Sequence, residues 1–169
     1  TGGLFWKGAG AEYRVPQSGT GNAIFASGIW LGGLVNGELR MVASDYGPWE
    51  LWPGPLDDNG NAPADCGEFD RMYKVAKQDI LDYQDTGVAT ADLADWPFQL
   101  GAPVIDGDGD PNNYNLAGGD RPDILGDQGI WWIMNDVGNE HSWSLTQPIG
   151  LEVQVLAFSF KRADALNNT

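Results

Sequence analysis

The 169-residue chain carries 24 acidic against 9 basic residues, a net charge of −15, and a pI near 4.1. A chain this acidic is repelled by phosphate backbones and anionic bilayers, which argues against nucleic acid and anionic membrane surfaces as partners. At 42% hydrophobic residues it is long enough for a proper core, yet no apolar run approaches the ~20 residues a bilayer-spanning helix needs.

Glycine and proline, 24 and 10 residues, recur along the whole chain, as in a fold of many short strands and turns. Ala23 to Leu34 (AIFASGIWLGGL) predicts a buried apolar strand. Asn36-Gly37 follows it and is a hairpin signal, because both positions tolerate the positive φ of a type I′ turn. Glu38 to Ser44 is the return strand, with Leu39, Met41 and Ala43 on one face and Arg40, Val42 and Ser44 on the other. Ser44 to Asp58, with Trp49, Trp52 and three prolines, reads as loop. Phe69 to Ala76 predicts a strand, and Lys77 to Gln84 a short helix that buries Ile80, Leu81 and Tyr83. Thr90 caps a single turn through Asp95, which Pro97 stops. Gly129 to Asn135 (GIWWIMN) is an apolar strand, and Leu151 to Phe160 alternates before becoming apolar on both faces. The expected fold is mainly β: an antiparallel β-sandwich-like domain over residues 1–169, with one or two short helices and long Gly/Pro-rich loops.

The most distinctive segment is Asp106 to Asp127, DGDGDPNNYNLAGGDRPDILGD. Its carboxylates repel one another, and Arg121 is the only base among them. A hard divalent cation relieves that repulsion, and calcium takes six to eight oxygens from carboxylates, amides, carbonyls and water. Asp106, Asp108 and Asp110 occupy the first, third and fifth places of an EF-hand-like loop, with Asn112 at the seventh. Pro111 stands where that motif needs glycine, and Ala117 where it needs glutamate, so a true EF-hand is excluded. What remains is an irregular calcium loop closed by Asp120, its ligands Asp106, Asp108, Asp110, Asn112 and Asp120. The competing reading is a polar turn whose Asp and Asn side chains cap their own backbone.

The other chemistry is weaker. Cys66 is the only cysteine, so no disulfide forms within the chain, and a lone cysteine reads as a small buried hydrophobe. Calcium would then stabilise the fold where a cross-link does not. Eight tryptophans invite a carbohydrate-binding alternative, with Trp49 and Trp52 as the stacking platform. Trp6, Trp30, Trp96 and Trp143 read as packing residues, and adjacent Trp131 and Trp132 point to opposite faces of their strand. Paired carboxylates such as Asp57 and Asp58, or Glu68 and Asp70, are expected among so many acids and by themselves make no glycosidase. His141 is the only histidine, no G-x-S-x-G elbow accompanies it, and it reads as a loop residue rather than a base or zinc ligand. No catalytic residue is assigned, and the chain reads as non-enzymatic.

Several long motifs then fall in a recognisable order: TGGLFW, EYRVPQSGTGNAIFASGIWLGGL, WPGPLDD, CGEFDRMYKV, GDRPDILGDQGIWWIMND and PIGLEVQVLAFSF. They resemble the N-terminal region of large secreted or surface proteins of Bacteroidota and related bacteria, which typically end in a sorting domain for type IX secretion. The resemblance spans nearly the whole chain. It implies an extracellular or cell-surface location and a calcium-type aspartate cluster matched by Asp106, Asp108, Asp110 and Asp120. It carries over no catalytic residue. The family pattern continues beyond a segment such as ADALNNT, so the chain reads as part of a longer polypeptide. The expected partners are other proteins, the rest of its own chain, or glycans. The expected role is a calcium-stabilised structural or binding module, acting as an assembly subunit.

Overall fold

The computed structural model describes residues 13–14, 19–24, 27–43 and 50–161. Trp6, Trp49 and the segment 44–49 lie outside them. The chain forms two compact units: residues 1–70, 134–153 and 163–169 make the first, and 71–133 with 154–162 the second. Among the described residues the architecture is mainly strands in antiparallel sheets, with two short helices.

In the first unit, β1 (Tyr13–Arg14) pairs antiparallel with β2 (Asn22–Ile24). β3 (Leu31–Val35) and β4 (Glu38–Val42) form the expected hairpin, with Leu34 opposite Leu39 and Val35 opposite Glu38. Asn36 and Gly37 take φ of 52° and 85°, the two positive values that a type I′ turn requires. The long strand expected from Ala23 to Leu34 is divided: β2 ends at Ile24, and residues 27–30 belong to neither strand. Nor is it buried, since Trp30 and Leu34 are 64% and 74% exposed. Val42, Leu51 and Met134 are buried, and β5 (Trp52–Pro53) pairs with the last two residues of β9 (Gln128–Asn135).

The second unit begins with β6 (Tyr73–Ala76), which pairs antiparallel with the first half of β9, Tyr73 opposite Trp131 and Ala76 opposite Gln128. The predicted strand from Phe69 is therefore shorter, because Cys66–Phe69 form a 3₁₀ turn instead. Cys66 in that turn is exposed, contrary to the buried hydrophobe expected of it. Helix α1 (Lys77–Thr86) starts where the Asp79 carboxylate accepts the Ala76 N–H at 2.7 Å. It stops at Gly87, whose φ of 72° is the left-handed cap that glycine adopts without strain. Helix α2 (Ala91–Ala94) is the expected single turn after Thr90. Val75, Ile80, Leu93, Trp96, Ala102, Trp131 and Ile133 form the core of this unit. Trp96 satisfies its indole N–H on the Pro103 carbonyl at 3.1 Å, as a buried tryptophan must. Trp132 is buried as well, 9% exposed against 1% for Trp131. β10 (Glu152–Ser159) lies beside β9.

β7 (Val104–Ile105) and β8 (Arg121–Pro122) form a two-residue antiparallel ladder, Val104 opposite Pro122 and Ile105 opposite Arg121. The acidic loop is the connection between them.

Candidate metal centre

The β7–β8 ladder fixes both ends of the acidic loop, so Asp106 leaves it and Asp120 enters it. Just inside, the Gly107 N–H donates to Asp120 Oδ1 at 2.8 Å and the Asn115 N–H to Oδ2 at 2.6 Å. Asp120 is 3% exposed, and those two amides satisfy a carboxylate that burial would otherwise penalise. Gly107 has to be glycine, because a Cβ there would run into the Gly119 backbone. Gly118 is confined in the same way by Asp108 and Asn115 side-chain atoms. Tyr114 ties the loop outward, its hydroxyl donating to the Leu93 carbonyl at 2.8 Å. Burial, then the negative charge of Asp120, pushes the Tyr114 phenol up, so it stays a donor.

Within the loop the aspartates cap local backbone. Asp106 Oδ1 accepts from Gly109 N–H at 2.6 Å, Asp108 Oδ1 from Asp110 N–H at 3.0 Å, and Asp110 Oδ1 from Asn112 N–H at 3.1 Å. Asp108 Oδ2 also takes the side-chain amides of Asn115 at 2.9 Å and Asn113 at 3.3 Å. The Asp110 amide first, then Asn115, hold the Asp108 carboxyl below the usual carboxylate range despite an opposing desolvation.

Of the five ligands expected from the sequence, Asp106, Asp108 and Asp120 converge, with carboxylate oxygens within 4.8 Å of one another. Asp110 is not among the three: its carboxylate is taken up by Asn112, which donates from both its backbone N–H and, at 3.2 Å, its side-chain amide. Asn113 and Asn115 stand on Asp108 in their place. They were indicated only by the density of Asn in the loop, since their contacts reach five and seven residues back. Asn113 Oδ1 is buried without a partner, a spare oxygen beside the cluster. The donor set is hard oxygen throughout, which fits a group 2 cation and not a thiophilic or imidazole-seeking metal. Three carboxylates in this arrangement could hold such an ion.

Only half of the expected sugar platform lies among the described residues. Trp49 lies outside them, and Trp52 is half-buried in β5, its ring 5.9 Å from that of His141. The Asp57 carboxylate accepts from Asn59 and Asn61 backbone N–H groups and the Asn61 side chain, so it caps a turn.

Sequence reasoning missed a second cluster, in the first unit. His141 is buried, with Glu50 3.7 Å from Nδ1 and Asp136 3.9 Å from Nε2, all three side chains fully inaccessible. Glu50 accepts N–H groups of Ala43, Trp143 and Ser144 at 2.8, 2.8 and 2.6 Å. Asp136 accepts those of Ile149, Gly150 and Leu151 at 2.6, 3.0 and 2.6 Å. Burial pushes the Glu50 carboxyl up, but the Ser144, Ala43 and Trp143 hydrogen bonds together outweigh it and hold the pKa below its ordinary value. His141 is thus a loop residue, as expected, but one enclosed in a polar core.

Compared with protein-family models, curated proteins and solved structures, the chain matches none.

Proposed function

We propose that this chain is a non-enzymatic, calcium-stabilised structural or binding module of a secreted or surface-attached bacterial protein, acting as an assembly subunit. The observation that carries the calcium reading is the convergence of Asp106, Asp108 and Asp120 on one point at the neck of the β7–β8 loop. Three carboxylates supply part of the six to eight oxygens calcium takes, and backbone carbonyls, the Asn113 amide and water complete such a shell. Magnesium fits less well, because it demands a strict octahedron at shorter distances. Extracellular location and type IX export follow from the motif resemblance. The net charge of −15 favours a calcium-rich exterior, where cations offset part of the self-repulsion. Among the described residues no helix is long and apolar enough to cross a membrane.

The test is the thermal midpoint of the chain in calcium, in magnesium and in excess chelator, for the native sequence and Asp108→Ala. A native-state binder stabilises by ~2.7 kcal/mol at a hundred times its dissociation constant. The expected result is a calcium-specific rise that Asp108→Ala abolishes. Equal midpoints in calcium and chelator would reduce the loop to a self-capped turn. Labelling of intact cells with an antibody to the chain tests the location separately, and signal only after lysis would overturn it.

A further inference from the structure

We infer that His141 is held as the doubly protonated imidazolium, and that this proton keeps residues 141–151 closed as a pH-sensitive latch. The reason is hydrogen-bond stoichiometry. Nδ1 lies 2.8 Å from the Met41 carbonyl oxygen and Nε2 2.7 Å from the Asp136 carbonyl oxygen. Carbonyls only accept, so both ring nitrogens must donate, and a neutral imidazole has one N–H to give. Either neutral tautomer would leave a ring lone pair facing an oxygen lone pair at contact distance.

The surrounding charge agrees. The charged groups facing the ring among the described residues are Glu50, from the segment before β5, and Asp136, at the end of β9. Each carboxylate already accepts three backbone N–H groups, so neither needs a proton of its own. Arg40 of β4 donates to the Pro148 carbonyl at 2.8 Å and pairs with Glu38 at 3.6 Å. The imidazolium therefore leaves the buried cluster with a single net negative charge, where the neutral ring would leave two, and uncompensated buried charge is strongly destabilising.

What the cluster holds is a loop. Glu50 fixes the Trp143 and Ser144 amides, and Asp136 fixes those of Ile149 to Leu151. Between them, Leu145 is 84% exposed with a φ of 57°, a conformation that costs a branched residue energy and persists only while its surroundings impose it. Trp143 beside it is 48% exposed. Loss of the His141 proton removes one of the two ring hydrogen bonds and the counter-charge of both acids together.

The direction with pH follows from proton count. An unfolded histidine releases its proton near pH ~6.5. A native ring that must donate from both nitrogens binds one proton more than the neutral unfolded ring, so stability falls as pH rises above that value. On the acid side the depressed Glu50 contributes stability that is present above the unfolded carboxylate value and is lost as pH falls through its lower folded value.

With one histidine in the chain, ring ¹⁵N–¹H spectra of the full protein read His141 without ambiguity. The expected spectrum at pH 7.5 shows both ring nitrogens protonated, and unfolding in denaturant at the same pH returns a neutral ring. A neutral ring in the folded protein would overturn the proposal. Backbone amide exchange then tests the latch. Across the ring's own titration, after correction for intrinsic rates, protection of Trp143 and Ser144 should fall by roughly tenfold or more, the loss of a charge-assisted bond. The Gly107 and Asn115 amides in the acidic loop should keep theirs. Equal changes in both sets would mean global unfolding and would also count against the latch.

Discussion

The two clusters of acids in this molecule solve like-charge repulsion in opposite ways. Glu50 and Asp136 lie fully buried around an internal cation, and six backbone amides complete their coordination. Asp106, Asp108 and Asp120 converge at a loop neck where only Asp120 is buried. The first cluster is complete within the chain, whereas the second is suited to completion by an ion from solution. Depth separates them: a carboxylate removed from water must find its partners in the protein, while one at the surface can take them from the medium.

Mutations sharpen that contrast, beginning where the effect is greatest. Asp136→Ala strands three buried N–H groups and takes a counter-charge from His141, and should cost ~3–5 kcal/mol in denaturant unfolding. A loss under ~1 kcal/mol would show that water enters the site and would erase the distinction between the clusters. Gly107→Ala should cost ~1–3 kcal/mol, measured the same way in chelator, because its Cβ collides with Gly119 backbone whether or not an ion is bound. A neutral outcome would mean the neck is loose. Asp110→Ala comes last. Being exposed and outside the converging group, it should change stability by less than ~0.5 kcal/mol and preserve the calcium response that Asp108→Ala loses. If Asp110→Ala also abolishes the response, the wider ligand set read from the sequence is the right one.

What could be read from the sequence was local. The Asn36-Gly37 turn, α1, β9 and β10 all announce themselves within a few residues, through positive-φ chemistry or hydrophobic period. Three of the five loop oxygens expected to converge do so, because the chain must turn back between β7 and β8. The polar core was illegible for the converse reason. Glu50 meets Trp143 across 93 residues, and nothing in either neighbourhood marks a buried acid. Exposure was equally hidden, since Leu34 and Leu39 look like core residues and stand opposite each other on an exposed hairpin face. Alternating aspartates look equivalent along the chain, whereas the turn after Asp108 directs Asp110 to Asn112.

The crossing of Gly107 over Gly119, fastened by the buried Asp120, has one further consequence. It closes the loop as a covalent staple would, so the conformational entropy of closure is lost when the chain folds and not when an ion arrives. An ion entering such a loop meets a preorganised cage and gives up chiefly its own hydration. Chelation should therefore lower the melting temperature while the loop amides keep their shape, in contrast to metal sites whose loops exist only when filled.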